Sequence, residues 1–252
     1  MAVPRAAPML VLALLAASCS SGDGPSLEDS SAPSDPVVID AVEIIDGEEA
    51  EPSDAVVVAT AVVDEVEVFA DPVDFEPSRR MPNPNDAGAP LVFVVDDAQP
   101  DWLLVQLPVR PNGAQGWVRR ADVALSTHRY RIEVRLRDFD LRVFDEGELV
   151  FQTVVAVARD NAPTPGGSYY ITELLQPRRP DTLYGRFAYG LSGFSDTFET
   201  FRGGPGQLGI HGTNDPETLG TQVSSGCIRL HDDDIAQLVD FLPLGVPVTV
   251  FA

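Results

Sequence analysis

From residue 55 onward the chain is cut by Pro and Gly into short β-branched runs, and this punctuation decides what it can build. Between residues 55 and 126 the runs are 56–63, 66–70, 91–95, 102–107, 116–119 and 123–125. Runs of that length between turn residues predict short strands closing into a small β-barrel. From Thr127 the pattern changes: Tyr130, Ile132, Val134 and Leu136 alternate with charged residues, as in a strand with one buried face. Runs 141–144 and 149–158, set off by Asp138-Phe139-Asp140 and Asp145-Glu146-Gly147-Glu148, predict hairpins. Pro163-Thr164-Pro165-Gly166-Gly167 reads as a compact structural turn. One segment reads as a short helix: the amphipathic stretch 235–242, capped by an Asp of Asp232-Asp233-Asp234 and stopped by Pro243. A last strand follows over 246–251. The fold class is therefore mostly β, in two domains over residues 55–126 and 127–252.

The first 54 residues have a different character. Arg5 precedes an apolar run over residues 9–17 that is too short to span a bilayer, so residues 1–18 read as a secretory signal peptide. Leu15-Ala16-Ala17-Ser18-Cys19 resembles a bacterial lipoprotein signal, with Ala16 where Leu is usual. That resemblance implies lipid attachment at Cys19, membrane anchoring and an extracytoplasmic location in the cell envelope. Residues 19–54 are rich in Ser, Pro, Asp and Glu, a composition that does not offset its ordering entropy, and read as a disordered acidic linker. Residues 20–78 carry seventeen of the acidic side chains and no basic one. The formal charge of −22 thus belongs to the tail and its neighbour, and excludes a nucleic-acid partner. All seventeen basic residues are Arg, which removes Schiff-base and P-loop lysine chemistry.

An exported chain with two Cys is expected to pair them. Cys19 stands at the processing site, so Cys227 is left without a partner, and a thiol kept single in an oxidising compartment is a candidate nucleophile. It lies in Ser224-Ser225-Gly226-Cys227-Ile228-Arg229-Leu230, sixteen positions after His211 of His211-Gly212-Thr213-Asn214. A thiol attacks as thiolate, and an imidazole can take its proton and return it to a leaving group, so Cys and His are the minimum set for acyl transfer. Gly226 permits a strained turn and close approach of substrate, and successive N–H groups there are candidates for an oxyanion hole.

These residues carry a resemblance. Residues 127–252 resemble the L,D-transpeptidase catalytic domain, the YkuD fold, whose pattern is a His-Gly pair, a spacer, then Ser or Thr, His, Gly, Cys, a hydrophobic residue and Arg or Asn. His211-Gly212 fits the first part; Ser224, Gly226, Cys227, Ile228 and Arg229 fit the second. Tyr189-Gly190-Leu191-Ser192-Gly193 and the Gly-rich approach to Ile210 are also similar. Ser225 stands where that family commonly has His, which implies an altered rate or substrate preference with activity retained. The resemblance implies a β-rich catalytic domain acting on peptidoglycan stem peptides in crosslinking or remodelling. Cys227 would attack a diamino-acid carbonyl, expel the terminal D-Ala and hold the stem as a thioester for an amine to resolve. L,D-carboxypeptidase action and a non-catalytic wall-binding module are the alternatives. His211 would shuttle the proton; Arg229, Ser225, Gly226, Gly212 and Tyr189 would shape the site or bind substrate. No cofactor or metal is required. Ahead of this domain, the stretch from Trp102 to Gly113 followed by Gly116-Trp117-Val118 looks like the bacterial SH3-like domains attached to wall enzymes.

Other side chains carry blander readings. Trp102 and Trp117 are expected to pack in or at the mouth of the barrel, with ligand contact as the alternative. Thr213 and Asn214 read as turn caps, with a direct role as the alternative, and His128 as structural. His231, beside three Asp, reads as solvated or helix-capping. For Tyr189 the readings stand open: a hydroxyl at the oxyanion site, a ring stacked near the stem, or a packed ring. The sequence leaves oligomeric state unknown.

Overall fold

A computed structural model describes residues 55–179 and 182–252. The expected signal peptide, Cys19 and the acidic linker lie outside the described residues. Among those described, the architecture is mostly β with one α-helix near the C-terminus.

The first sheet holds β1 (Val56–Ala61), β2 (Glu65–Phe69), β3 (Arg79–Pro82), β4 (Val92–Ala98), β5 (Trp102–Gln106), β6 (Gln115–Arg119) and β7 (Val123–His128), in the order β3-β2-β6-β5-β4-β1-β7. All its pairings are antiparallel. The expected strands are present, but β3 is an addition: Arg79-Arg80-Met81-Pro82 has no β-branched residue and is held by pairing with β2. The pairings leave β3 and β7 as the two edges of the sheet. Val66, Val68, Phe93, Leu103, Val105 and Val118 fill its core, and Trp102 packs edge-on against Phe69 at 5.1 Å. Strand β7 runs past the expected boundary at Ser126, since His128 still pairs with Val56.

The second sheet is built from β8 (Tyr130–Arg135), β9 (Asp140–Asp145), β10 (Glu148–Val154), β12 (Gly167–Leu175), β13 (Ala188–Phe194), β14 (Gln207–His211), β16 (Ile228–Arg229) and β17 (Pro247–Phe251), in the order β10-β9-β8-β17-β12-β13-β14-β16. Two short strands, β11 (Val157–Ala158) and β15 (Gln222–Ser224), pair parallel outside it. Ile132, Val134, Leu141 and Val143 form the buried stripe that alternation predicts, and pack with Ile210, Ile228 and Leu230 from the far edge. The β9–β10 hairpin turns on Glu146 and Gly147 at φ 49° and 83°, the torsions that match strand twist in two-residue turns.

Helix α1 (Asp232–Val239) starts three residues before the predicted segment, and its cap is His231 rather than an Asp. His231 keeps extended torsions, and its Nδ1 accepts the Asp233 N–H at 3.2 Å. The three Asp therefore occupy the first turn, where their charge favours the positive helix end. The helix buries Ile235 and Leu238.

Tyr170, fully buried on β12, ties the two sheets together. Its hydroxyl lies 3.1 Å from the carbonyls of both Val92 and Gln106 in the first sheet, and its ring packs with Val58, Val92 and Val94. Tyr170→Phe removes that donor from a buried site and is expected to lower stability by about 1–3 kcal/mol. A denaturant titration should show a lower midpoint with an unchanged slope.

Candidate active site

Cys227 and His211 reach one face of the second sheet through strand register. Parallel pairing sets Ile210 against Ile228 and His211 against Arg229. Side chains alternate along strands, so Ile210 and Ile228 go to the core while Gly209, His211, Cys227 and Arg229 share the opposite face. Both isoleucines are fully buried. A Cβ at Gly209 would press on the Tyr189 carbonyl oxygen at 3.0 Å and stand in ordinary contact with Sγ at 3.9 Å, which places this backbone beside the thiol.

The segment joining β15 to β16 is a strained elbow. Gly226 has φ +126°, which side chains beyond glycine rarely adopt. Its carbonyl accepts from the buried Thr164 hydroxyl at 2.8 Å. The Ser224 hydroxyl accepts the Gly226 N–H at 3.3 Å and donates to the Cys227 carbonyl at 2.5 Å, closing the loop on itself. The Gly226 N–H is thereby engaged inside the elbow. Ser225 turns outward, where its hydroxyl accepts from Arg159 Nη2 at 2.9 Å. The supporting roles of Thr164 and Arg159 escaped the sequence reading, which placed Ser224 in the Cys227 motif without its hydrogen bonds. Thr164 lies in the segment read only as a turn, 62 positions from its partner, and no local pattern marks so distant a contact.

His211 is 3% exposed, and its Nδ1 lies 2.6 Å from the Gly212 carbonyl. A carbonyl only accepts, so the proton of the neutral ring sits on Nδ1 and Nε2 is left with its lone pair free to accept one. Burial pushes the imidazole down to about 4, against a weaker upward pull from the Gly212 carbonyl. The Tyr184 ring stands edge-on to the imidazole at 5.0 Å. Gly212 allows the Asp232 carboxylate to approach, since a Cβ there would sit 2.0 Å from Oδ1. That carboxylate also accepts the Arg186 N–H at 3.1 Å.

The half-buried Cys227 thiol is pushed up by burial, while the Gly209 backbone and the Arg229 charge pull it down less strongly. The resting pair is therefore a neutral thiol beside a neutral imidazole. Arg229 has a buried Nε with no hydrogen-bond partner among the described residues. The cavity in front of the pair measures about 450 Å³ and is lined by Tyr184, Phe201, Arg202 and Gly209 together with His211 and Cys227.

The Tyr189 ring is buried in the core, where its hydroxyl donates to the Leu242 carbonyl at 3.3 Å, and the residue also borders the cavity beside His211 and Cys227. Thr213 is buried and its hydroxyl accepts the Asp215 N–H at 3.1 Å, capping a turn. Among the described residues no three His, Cys, Asp or Glu side chains gather as a metal site.

Residues 129–250 match the sequence model of the L,D-transpeptidase catalytic domain, YkuD. The YkuD protein of Bacillus licheniformis is 34% identical over 121 residues, which are 48% of this chain and 65% of that protein. The YkuD protein of Bacillus subtilis is 34% identical over 96 residues, 38% of this chain and 50% of that one. The chain thus spans only part of the length of each of these relatives. Among solved structures, Bdellovibrio bacteriovorus Bd1075 aligns at 26% identity with a TM-score of 0.39, over 49% of this chain and 48% of that chain. The catalytic domain of an Enterococcus faecium L,D-transpeptidase aligns at 22% identity and a TM-score of 0.37, over 48% of this chain and 96% of that chain.

Proposed function

We propose that the YkuD-type L,D-transpeptidase catalytic domain formed by residues 129–250 works through Cys227 as nucleophile and His211 as proton carrier, on peptidoglycan stem peptides. One observation carries this reading: His211 at the end of β14 and Cys227 immediately before the paired β16 open on one cavity, with the base nitrogen of His211 set by the Gly212 carbonyl.

In the first step His211 Nε2 takes the thiol proton as Sγ bonds to the carbonyl carbon of a diamino acid in the stem. The tetrahedral intermediate collapses by breaking the bond to D-Ala, whose amine leaves with the proton from His211. The stem is then held as a thioester. An acceptor amine attacks that carbonyl, gives a proton to His211, and the thiol is restored when the C–S bond breaks. Arg229 offers a planar cation for a stem carboxylate, and Ser225, held outward by Arg159, tunes the elbow from behind.

Around this reaction stand the expectations from the N-terminal half. The first sheet acts as an SH3-like module over residues 55–126. Residues 1–18 direct export, and Cys19 carries lipid. The linker of 19–54 then places the enzyme at the wall from a membrane anchor.

Incubation of the full chain with a defined tetrapeptide stem, followed by mass spectrometry, tests the reaction. The expected result is a chain heavier by a tripeptidyl group, free D-Ala and a joined peptide product. Free D-Ala with no joined product would leave hydrolysis in place of transfer, and an unmodified chain would leave a wall-binding module.

A further inference from the structure

Residues 195–206, between β13 and β14, form a flap that buries little of itself: only Ser195 and Gly206 are buried. At its base the Ser195 N–H donates to the Gly206 carbonyl at 2.8 Å. At its tip Phe201 and Gly204 exchange backbone bonds of 2.9 Å around Arg202 and Gly203, whose φ values of 50° and 89° make a tight two-residue turn. The tip and the returning limb, Phe201, Arg202, Gly204, Pro205 and Gly206, face the same cavity as Cys227 and His211.

A segment so exposed takes its shape from polar ties, and the strongest come from the loop between β5 and β6 in the first sheet. Arg110 Nη1 donates to the Pro205 carbonyl at 2.8 Å; Nη2 donates to those of Ser195 and Phe198 at 3.0 and 2.9 Å. One guanidinium thus joins the outgoing limb to the returning one. It also lies over the Phe194 ring at 4.6 Å. Asn112 pairs with Phe194 as a neighbouring strand would: Nδ2 donates to the Phe194 carbonyl and Oδ1 accepts its N–H, both at 2.8 Å. At Gly206 the closure is tight, because a Cβ would fall 2.2 Å from the Phe198 carbonyl oxygen and 3.2 Å from Arg110 Nη2.

We propose that Arg110 and Asn112 are positioning residues for the acyl-transfer site, fastening the flap that walls the catalytic cavity. The role rests on the function proposed above and gives the first sheet a part in substrate binding beyond placement at the wall. A planar, forked cation is the group for the task, since its donors point in fixed directions that a lysine ammonium does not reproduce.

Amide hydrogen exchange and steady-state kinetics on the full chain test this, comparing the parent with Arg110→Ala, Asn112→Ala, Arg110→Lys and, as a surface control, Arg120→Ala. In Arg110→Ala and Asn112→Ala, amides of residues 195–206 should exchange roughly tenfold faster while β8 and β9 are unchanged. For the tetrapeptide stem, kcat/KM should fall roughly ten- to a hundredfold, mainly through KM. Arg110→Lys should recover part of both, and Arg120→Ala should match the parent. Flap exchange and KM equal to the parent in Arg110→Ala would overturn the proposal. Faster exchange spread evenly through the second sheet would also overturn it, marking a structural joint. Should Arg110→Ala fail to fold, Arg110→Gln carries the same comparison. If the parent itself does not turn over the stem, the acyl-transfer reading falls, while flap exchange still decides whether the clamp exists.

Discussion

Cys227→Ala is expected to abolish the acyl-enzyme and lower turnover of a tetrapeptide stem on the order of 10⁴-fold or more. The other polar groups lining the cavity are poor replacements for the lost nucleophile. The Tyr184 hydroxyl is pushed up by burial and so held neutral, the Tyr189 hydroxyl is engaged with the Leu242 carbonyl, and the Glu173 carboxyl is raised by burial and held by Asn85 and Thr172. The elbow itself should survive, because its shape rests on Thr164, Ser224 and the torsion of Gly226 and not on the thiol. Melting temperature should stay within a few degrees of the parent as the mass shift and D-Ala release vanish. A variant that still releases D-Ala would remove Cys227 from the mechanism.

His211→Gln is expected to lower turnover about 10²- to 10⁴-fold, the range for losing a general base, and to change two pH profiles. With the imidazole held down to about 4 and the thiol pushed up, the neutral pair persists across the whole neutral range. Acylation by the parent should therefore hold its plateau well below pH 6, with an acid limb near pH 4. An acid limb at the ordinary imidazole value of 6.5 would contradict this geometry. The stability profile has a definite sign. The unfolded chain binds a proton to this His at 6.5 and the folded chain at about 4, so the unfolded state holds more protons between those values. Stability contributed by neutral His211 is complete above the unfolded value and is lost as pH falls toward the folded one, by about 3 kcal/mol. Denaturant midpoints should fall across that window in the parent and fall less in His211→Gln. Glu173 works in the opposite direction, since burial raises its carboxyl, so the difference between the two proteins is the measurement to read.

The sequence made the strands legible wherever apolar residues alternate or β-branched residues cluster: Ile132 and Val134 on β8, Val66 and Val68 on β2. It did not reveal β3, whose Arg-rich sequence is held only by its neighbour, and it started α1 at the first apolar residue, whereas the backbone turns helical as soon as His231 caps it. The Cys227 and His211 motifs could be read because each is local. Their supports could not. Thr164 reaches Gly226, Arg159 reaches Ser225 and Arg110 reaches Phe198 across stretches of 62, 66 and 88 positions. Such contacts leave no spacing to detect. Tyr189 shows how two readings can meet in one residue: its hydroxyl turns to the Leu242 carbonyl in the core, while the residue still borders the cavity that holds Cys227 and His211.

Arg110, Asn112 and Tyr170 have one property in common: each grips main-chain atoms of the opposite sheet. A fastening made to carbonyls and amides is indifferent to the side chains of the segment it holds. Phe201 and Arg202, whose side chains take no part in that fastening and which line the cavity, are thus free to vary by point substitution, and the wall of the cavity can be re-lined without disturbing its anchorage. Length is what the arrangement does not forgive. A single residue inserted or deleted between Ser195 and Gly206 would shift the Phe198 and Pro205 carbonyls off the two arms of the guanidinium. If the chain carries out the proposed acyl transfer, change in its substrate preference should accumulate as replacements within a flap of constant length.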